Sequence, residues 1–294
     1  MKTEHLDACP ACSGTRLTQH PDIKDFYYSG ESFPQSECGT CGLYFTQNRP
    51  AAADIGKYYD SANYASHDSG KKKSAFLRVY QMARNWMLNH KFEIIRQFKP
   101  ELKQVLDYGT GEGFFTEFLL KKGKDADGIE PSELARENFR RRTGKTLYES
   151  LEGLPPKSYQ AITLWHVLEH IHDLRPTMQT LVDRLERYGI IVIAVPNRQS
   201  ADCREFGEAW AAWDVPRHLY HWDTDSLGRF MESFSLQRIY TGHLPLDPFY
   251  IGLISARYAK KSALSGLITG FRSYLHGKSH PDKGSTLLTV WMKN

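Results

Sequence analysis

Three short stretches carry residue types that do chemistry. Cys9-Pro-Ala-Cys12 and Cys38-Gly-Thr-Cys41 are two C-x-x-C pairs separated by a loop. Such knuckles present four thiolates in a tetrahedron, a set zinc favours because its filled d shell imposes no directional preference. Gly14, Gly39 and Gly42 stand within or just after the knuckles, where tight turns bring backbone N–H groups to the sulfurs. Disulfides or a redox pair are the competing readings, and a doubled motif without a secretory signal favours metal. Four protein ligands leave no open position, so Cys9, Cys12, Cys38 and Cys41 are expected to hold a structural zinc. Cys203 stands apart and reads as a small buried apolar residue.

The second stretch is Asp107-Tyr-Gly-Thr-Gly-Glu-Gly113. Gly109, Gly111 and Gly113 let the backbone approach a ligand, and a helix opening there offers it free N–H groups. The third glycine comes one residue early for a dinucleotide fingerprint. Glu130 follows about 20 residues on, where a carboxylate accepts from two ribose hydroxyls, so a nucleoside ligand is expected. The third stretch, Trp165-His-Val-Leu-Glu-His-Ile-His-Asp173, contains H-x-x-E-H, a metallohydrolase pattern that needs both histidines on one helix face.

The elements that position these groups follow from periodicity. Lys71 to Phe98 has apolar residues at helical spacing, closed by Pro100. Beyond it, strand-like and helix-like runs alternate, which predicts a parallel sheet wrapped by helices. Strands are expected at 105–107, 125–130, 146–149, 158–165, 189–195, 236–242 and 285–291. Helices are expected at 114–122, 131–142, 174–188 and 224–234, with a helical insert over 249–275. A strand running up to Trp165 puts His166 at a strand exit, away from any helix shared with His170, so hydrolase geometry is not expected.

With 294 residues, 40% hydrophobic and 24% charged, the chain has the composition of a folded globular protein. The net charge of +4 permits an anionic substrate without arguing for a nucleic-acid footprint. No apolar run nears the roughly 20 residues of a membrane span, and the start of the chain lacks an apolar signal region, so a cytoplasmic location is expected.

The stretches V-L-D-Y-G-T-G-E-G-F, G-I-E-P-S and A-I-T-L-W-H-V-L-E-H-I-H-D resemble successive motifs of class I S-adenosylmethionine-dependent methyltransferases, over roughly residues 100–245. The paired cysteines, Y-Y-D-S-A-N-Y-A-S-H and W-D-V-P-R-H-L-Y-H resemble a bacterial subgroup with an N-terminal zinc ribbon. The resemblance implies an α/β, Rossmann-like, seven-stranded sheet with helices on both faces and its last strand antiparallel. It divides the chain into a ribbon at 1–47, a linker and long helix at 48–99, and a methyltransferase domain at 100–294 with inserts at 198–223 and 247–283. It implies that Asp107, Gly109 and Gly111 approach the methionine part of S-adenosylmethionine and that Glu130 holds the ribose. Ser150 and Leu151 match the adenine position. Tyr64 and His67 are candidates for a lid over the cofactor.

Methyl transfer from a sulfonium is an in-line displacement, so the protein aligns the acceptor and excludes water. A hydroxyl or acidic carbon also needs a base, and histidine titrates near neutral pH. His166, His218 and His221 are the candidate catalytic residues. Asp214 and Arg217 are candidates to bind the acceptor, Arg217 through a phosphate or carboxylate. The expected acceptor is a small polar metabolite such as a sugar or nucleotide-linked sugar. An RNA-modifying enzyme or a nucleic-acid-binding protein is the alternative. Against it, the ribbon sets Lys2, Arg16 and Lys24 against Glu4, Asp7, Asp22, Asp25, Glu31 and Glu37, a surface that repels phosphates. The insert reads as a cap over the acceptor or a homodimer contact rather than a membrane-surface helix.

Overall fold

The computed structural model describes residues 2–59 and 74–294, so Tyr64 and His67 lie outside the described residues. Its first elements are β1 (Thr3–Glu4), β2 (Leu17–Lys24), β3 (Ser32–Cys38), β4 (Tyr44–Thr46), β5 (Arg49–Pro50) and α1 (Ser74–Phe98). The alternating region supplies β6 (Gln104–Tyr108), α2 (Phe114–Lys121), β7 (Asp125–Ile129), α3 (Glu133–Thr143), β8 (Tyr159–Trp165), α4 (Leu174–Asp183) and β9 (Leu185–Pro196). The chain ends with α5 (Ala201–Phe206), β10 (Tyr220–His221), α6 (Thr224–Glu232), β11 (Leu236–Gly242), α7 (Asp247–Tyr258), α8 (Ala263–Ser279) and β12 (Thr286–Lys293). Among the described residues no helix is long and apolar enough to cross a membrane.

The main sheet runs in the order β11-β12-β9-β8-β6-β7. β7, β6, β8 and β9 are parallel, and β12 is antiparallel to both of its neighbours. Ile190 to Val195 are almost entirely excluded from solvent, as a parallel strand covered by helices on both faces must be. α1 supplies part of that cover: Phe92 and Ile95 pack against Leu102, Val105, Phe115 and Leu119.

Three boundaries differ from expectation for local reasons. The strand expected at 146–149 is a single bridge from Ile129 to Tyr148, so the sheet has six strands and one bridged residue at its edge. Its two hydrogen bonds are Tyr148 N to Gly128 O and Glu130 N to Tyr148 O. The helix expected to reach Tyr188 stops at Asp183, and β9 begins at Leu185. Leu185 falls four residues after Leu181, so helical periodicity runs on past the real end. α3 starts after Ser132, whose hydroxyl accepts from Ala135 N, leaving Pro131 ahead of the cap.

The ribbon does not close on itself. Its four-stranded sheet has the order β10-β4-β3-β2, so a strand from far along the chain completes it. Leu43 and Phe45 share one apolar core with Ile162, Leu164, Trp222 and Leu227. Arg198 bonds both Glu37 of the ribbon and Asp223 at the α6 cap. In the insert, a Cβ on Gly252 would lie 2.5 Å from Gly266 O, so α7 and α8 meet backbone to backbone. The large apolar side chains of α8, such as Leu264, Leu267 and Phe271, face outward.

Candidate active site

The glycine turn connects β6 to α2. Gly109 N and Thr110 N both donate to Ile129 O at 2.9 Å, tying the turn to the end of β7. Gly109 has φ +73, and a Cβ there would sit 2.5 Å from Val167 of the loop after β8. Gly111 is also left-handed, φ +54, but a Cβ there would meet no protein atom within 4 Å. Packing therefore fixes Gly109, whereas Gly111 is held to glycine by its backbone conformation alone and has open space beside it. Glu130 stands across from it, with Oε2 accepting from Gly111 N at 2.8 Å and Oε1 from Ser132 N at 2.9 Å.

Asp107 is buried beneath this turn and accepts from Thr116 Oγ1 at 3.0 Å and Thr163 Oγ1 at 2.8 Å. Burial raises its pKa above the usual carboxylate range. Its place is below the turn, fastening β6 to β8 and α2. Lys91 of α1, which sequence reasoning missed, lies over the Trp165 ring at 4.5 Å, and burial lowers its pKa. Ser150 precedes a 3-10 turn at Leu151–Gly153, and its hydroxyl bonds Glu152.

β8 releases His166 in a left-handed conformation, φ 58. His166 Nε2 pairs with Asp247 Oδ2 at 2.9 Å, and Nδ1 lies 3.6 Å from Glu169 Oε1. Burial disfavours the charged ring, but the Asp247 and Glu169 carboxylates outweigh it and push the imidazole up to about 9. Thr286 Oγ1 donates to the same Asp247 oxygen and fixes it. Sequence reasoning missed Asp247, although Asp-Pro at a helix start was a visible signal.

The loop after β9 divides the other candidates. His218 Nε2 turns inward, 4.0 Å from Glu169 Oε1 and 3.9 Å from Asp214 Oδ2. His170 ring atoms come to the same place, its centroid 4.7 Å from that of His218. Burial, then the neighbouring His218, takes its pKa down to about 4. His221 turns the other way, buried against Trp213 and 3.2 Å from Thr46 of the ribbon, and burial holds its pKa well below normal. Arg217 bonds Asp214 at 2.7 Å, Asp25 of the ribbon at 3.0 Å and Tyr58 O at 3.2 Å. It is 3% exposed. The structure thus brings His166 and His218 together around Glu169, and places His221 and Arg217 at the join with the ribbon.

The four cysteines are free, with every sulfur within 4.8 Å of the others. Cys9–Cys41 and Cys12–Cys38 are each 3.5 Å apart. That is too long for a disulfide and close to the ~3.8 Å edge of a tetrahedron with 2.3 Å zinc–sulfur bonds. Backbone groups of Ala11, Cys12, Gly14 and Leu43 bond the sulfurs of Cys9, Cys12 and Cys41, and Thr40 N lies 3.4 Å from Cys38 Sγ. The cluster is compatible with zinc.

The methyltransferase-domain family model matches residues 80–240, more than half of the chain. The chain belongs to that family. An uncharacterized methyltransferase of Geobacillus sp. (strain WCH70) is 36% identical over 75 residues, which are 24% of this chain and 35% of that protein. The match therefore spans about a third of that relative's length. Magnesium protoporphyrin IX methyltransferase from Synechocystis PCC 6803, solved with bound SAH, superposes with a TM-score of 0.51 at 10% identity, covering 82% of this chain and 98% of its own. At that identity the likeness is one of fold. The structure of a "putative sarcosine dimethylglycine methyltransferase" from Galdieria sulphuraria covers 74% of this methyltransferase and 88% of its own chain, at 15% identity and a TM-score of 0.49.

Proposed function

We propose that this methyltransferase moves a methyl group from S-adenosylmethionine to a small polar acceptor, a sugar, nucleotide-linked sugar or similar metabolite. One observation carries the reading. Gly111, with open space where its side chain would be, and Glu130 stand at the carboxyl ends of β6 and β7, and His166 leaves the adjacent β8. Those strand ends form the crevice in which open α/β sheets bind ligands.

S-adenosylmethionine supplies, when bound, a methyl group carried on a sulfonium. The residues fit it: Glu130 offers carboxylate oxygens to a ribose, and Gly111 leaves the backbone bare beside them. Val167, pressed on Gly109, holds the histidine loop against the glycine turn. Asp247 orients the His166 ring through Nε2; because the Asp247 and Glu169 carboxylates hold that imidazole charged at neutral pH, His166 would take an acceptor's proton only in its neutral, alkaline form. Asp107 acts by fixing the turn. The four cysteines hold a zinc that makes up for the small core the ribbon has on its own.

Calorimetric titration with S-adenosylhomocysteine tests the reading. One saturable site per chain is expected, weakened at least about tenfold by Glu130→Ala, the equivalent of ~1.4 kcal/mol. No binding by the intact protein refutes it.

A further inference from the structure

Glu169 follows β8 in a 3-10 turn, has no surface exposure, and among the described residues neither of its carboxylate oxygens has a hydrogen-bond partner. Its ionic neighbours His166 at 3.6 Å and His218 at 4.0 Å are both beyond hydrogen-bonding distance. A carboxylate taken out of water this way needs a cation; the charged His166 ring supplies part of that need across 3.6 Å but leaves both oxygens without a hydrogen bond.

Two imidazoles face it in a form suited to a cation. His218 Nδ1 donates to Ala212 O at 2.8 Å, and His170 Nδ1 donates to Arg217 O at 2.9 Å. Carbonyl oxygens only accept, so each ring carries a proton on Nδ1, and it is Nε2 that holds the lone pair when the ring is neutral. Metal-bound histidines are oriented by this same outer bond to a backbone carbonyl. The placement is built into the backbone, because Leu219 N donates to Glu169 O at 2.7 Å and locks the two loops in register. One donor atom from each of Glu169, His170 and His218 lies within 4.8 Å of the other two.

We propose that Glu169, His170 and His218 form a second metal site, separate from the cysteine cluster, that takes one divalent ion of the zinc, cobalt, nickel or iron class. Imidazole and carboxylate together select these ions over magnesium and calcium, which prefer all-oxygen shells. Bonds of about 2.1 Å set tetrahedral donors about 3.4 Å apart, so the side chains close by an ångström or so. Three protein ligands leave a position for a water. On the methyl-transfer reading, an acceptor oxygen takes that position beside His166; ion binding itself does not depend on that reading.

The test uses the full chain with its cysteine cluster filled by zinc, dialysed against cobalt(II), with metal counted per chain. The wild type is expected to hold two equivalents, the second without a thiolate-to-cobalt charge-transfer band. Glu169→Gln, His170→Asn and His218→Gln are each expected to hold one. A wild type that stops at one equivalent overturns the proposal, as does a second equivalent kept by all three variants. Should a variant fail to fold, the wild-type stoichiometry and spectrum still decide. S-adenosylhomocysteine titration of the same samples judges the methyl-transfer reading separately, so either can fall while the other stands.

Discussion

Replacing Gly109 by alanine adds one methyl group at a point where the cofactor turn and the histidine loop touch. Two costs follow. A residue with a side chain pays ~1–2 kcal/mol to hold a left-handed conformation, and Gly109 has φ +73. The new Cβ would also lie 2.5 and 2.6 Å from the two Val167 methyl carbons, and overpacking of this kind costs ~1–3 kcal/mol. The sum is about 2–5 kcal/mol. Gly111→Ala is the internal control, because its backbone is also left-handed but its Cβ meets nothing within 4 Å. It should lose only the ~1–2 kcal/mol backbone cost. Urea unfolding with unchanged m values measures both. Val167→Ala in the Gly109→Ala background should restore ~1–3 kcal/mol by removing the overlap, a coupling that a double-mutant cycle reads directly. Equal destabilisation by the two glycine substitutions, or no coupling to Val167, would refute the claim that packing fixes Gly109.

Asp25→Asn should cost about 3 kcal/mol in chemical unfolding, because it strips a buried partner from Arg217. Burial alone would raise the Asp25 carboxyl, but the bond from Arg217 and those from Ser29 hold it below its ordinary 3.8. Its contribution is therefore complete above pH 3.8 and lost as pH falls through the lower native value, so the gap between wild type and variant should narrow on acidification. Treatment with a chelator that removes metal from the cysteine cluster should reduce hydrogen-exchange protection in β4 and β10 together, since they pair across the ribbon boundary. Gly266→Ala should lower stability by ~1–3 kcal/mol in thermal unfolding, because its Cβ would lie 2.6 Å from Gly252 O.

The parts of this molecule legible in its sequence are those in which one short stretch does the whole job. The glycine turn, Glu130 and the two cysteine pairs stand where their spacing puts them, since turn geometry and metal distance are local constraints. His166 leaves its strand as the apolar run ending at Trp165 implies. What pairs with it was not legible, because Asp247 arrives from 81 residues away through the insert. Arg217 and His221 carried the right chemistry for a site, but the ribbon consumes it in bonds to Asp25 and Thr46. Loop composition does not reveal which face a side chain takes. Periodicity also blurred the α4–β9 junction, where Leu185 satisfies both a helix and a strand.

The borrowed strand has a consequence for the order of assembly. Thr46 meets His221 across 175 residues of chain. At roughly 5–20 residues per second of synthesis, the ribbon segment waits on the order of ten to thirty seconds for the strand that completes its sheet. Throughout that interval Phe45, fully buried in the finished fold, lacks its cover. The newborn segment can pair β2 with β3 and β3 with β4, and bring its four cysteines together, from residues 9–46 alone. The ribbon is thus synthesised well before the strand that finishes it.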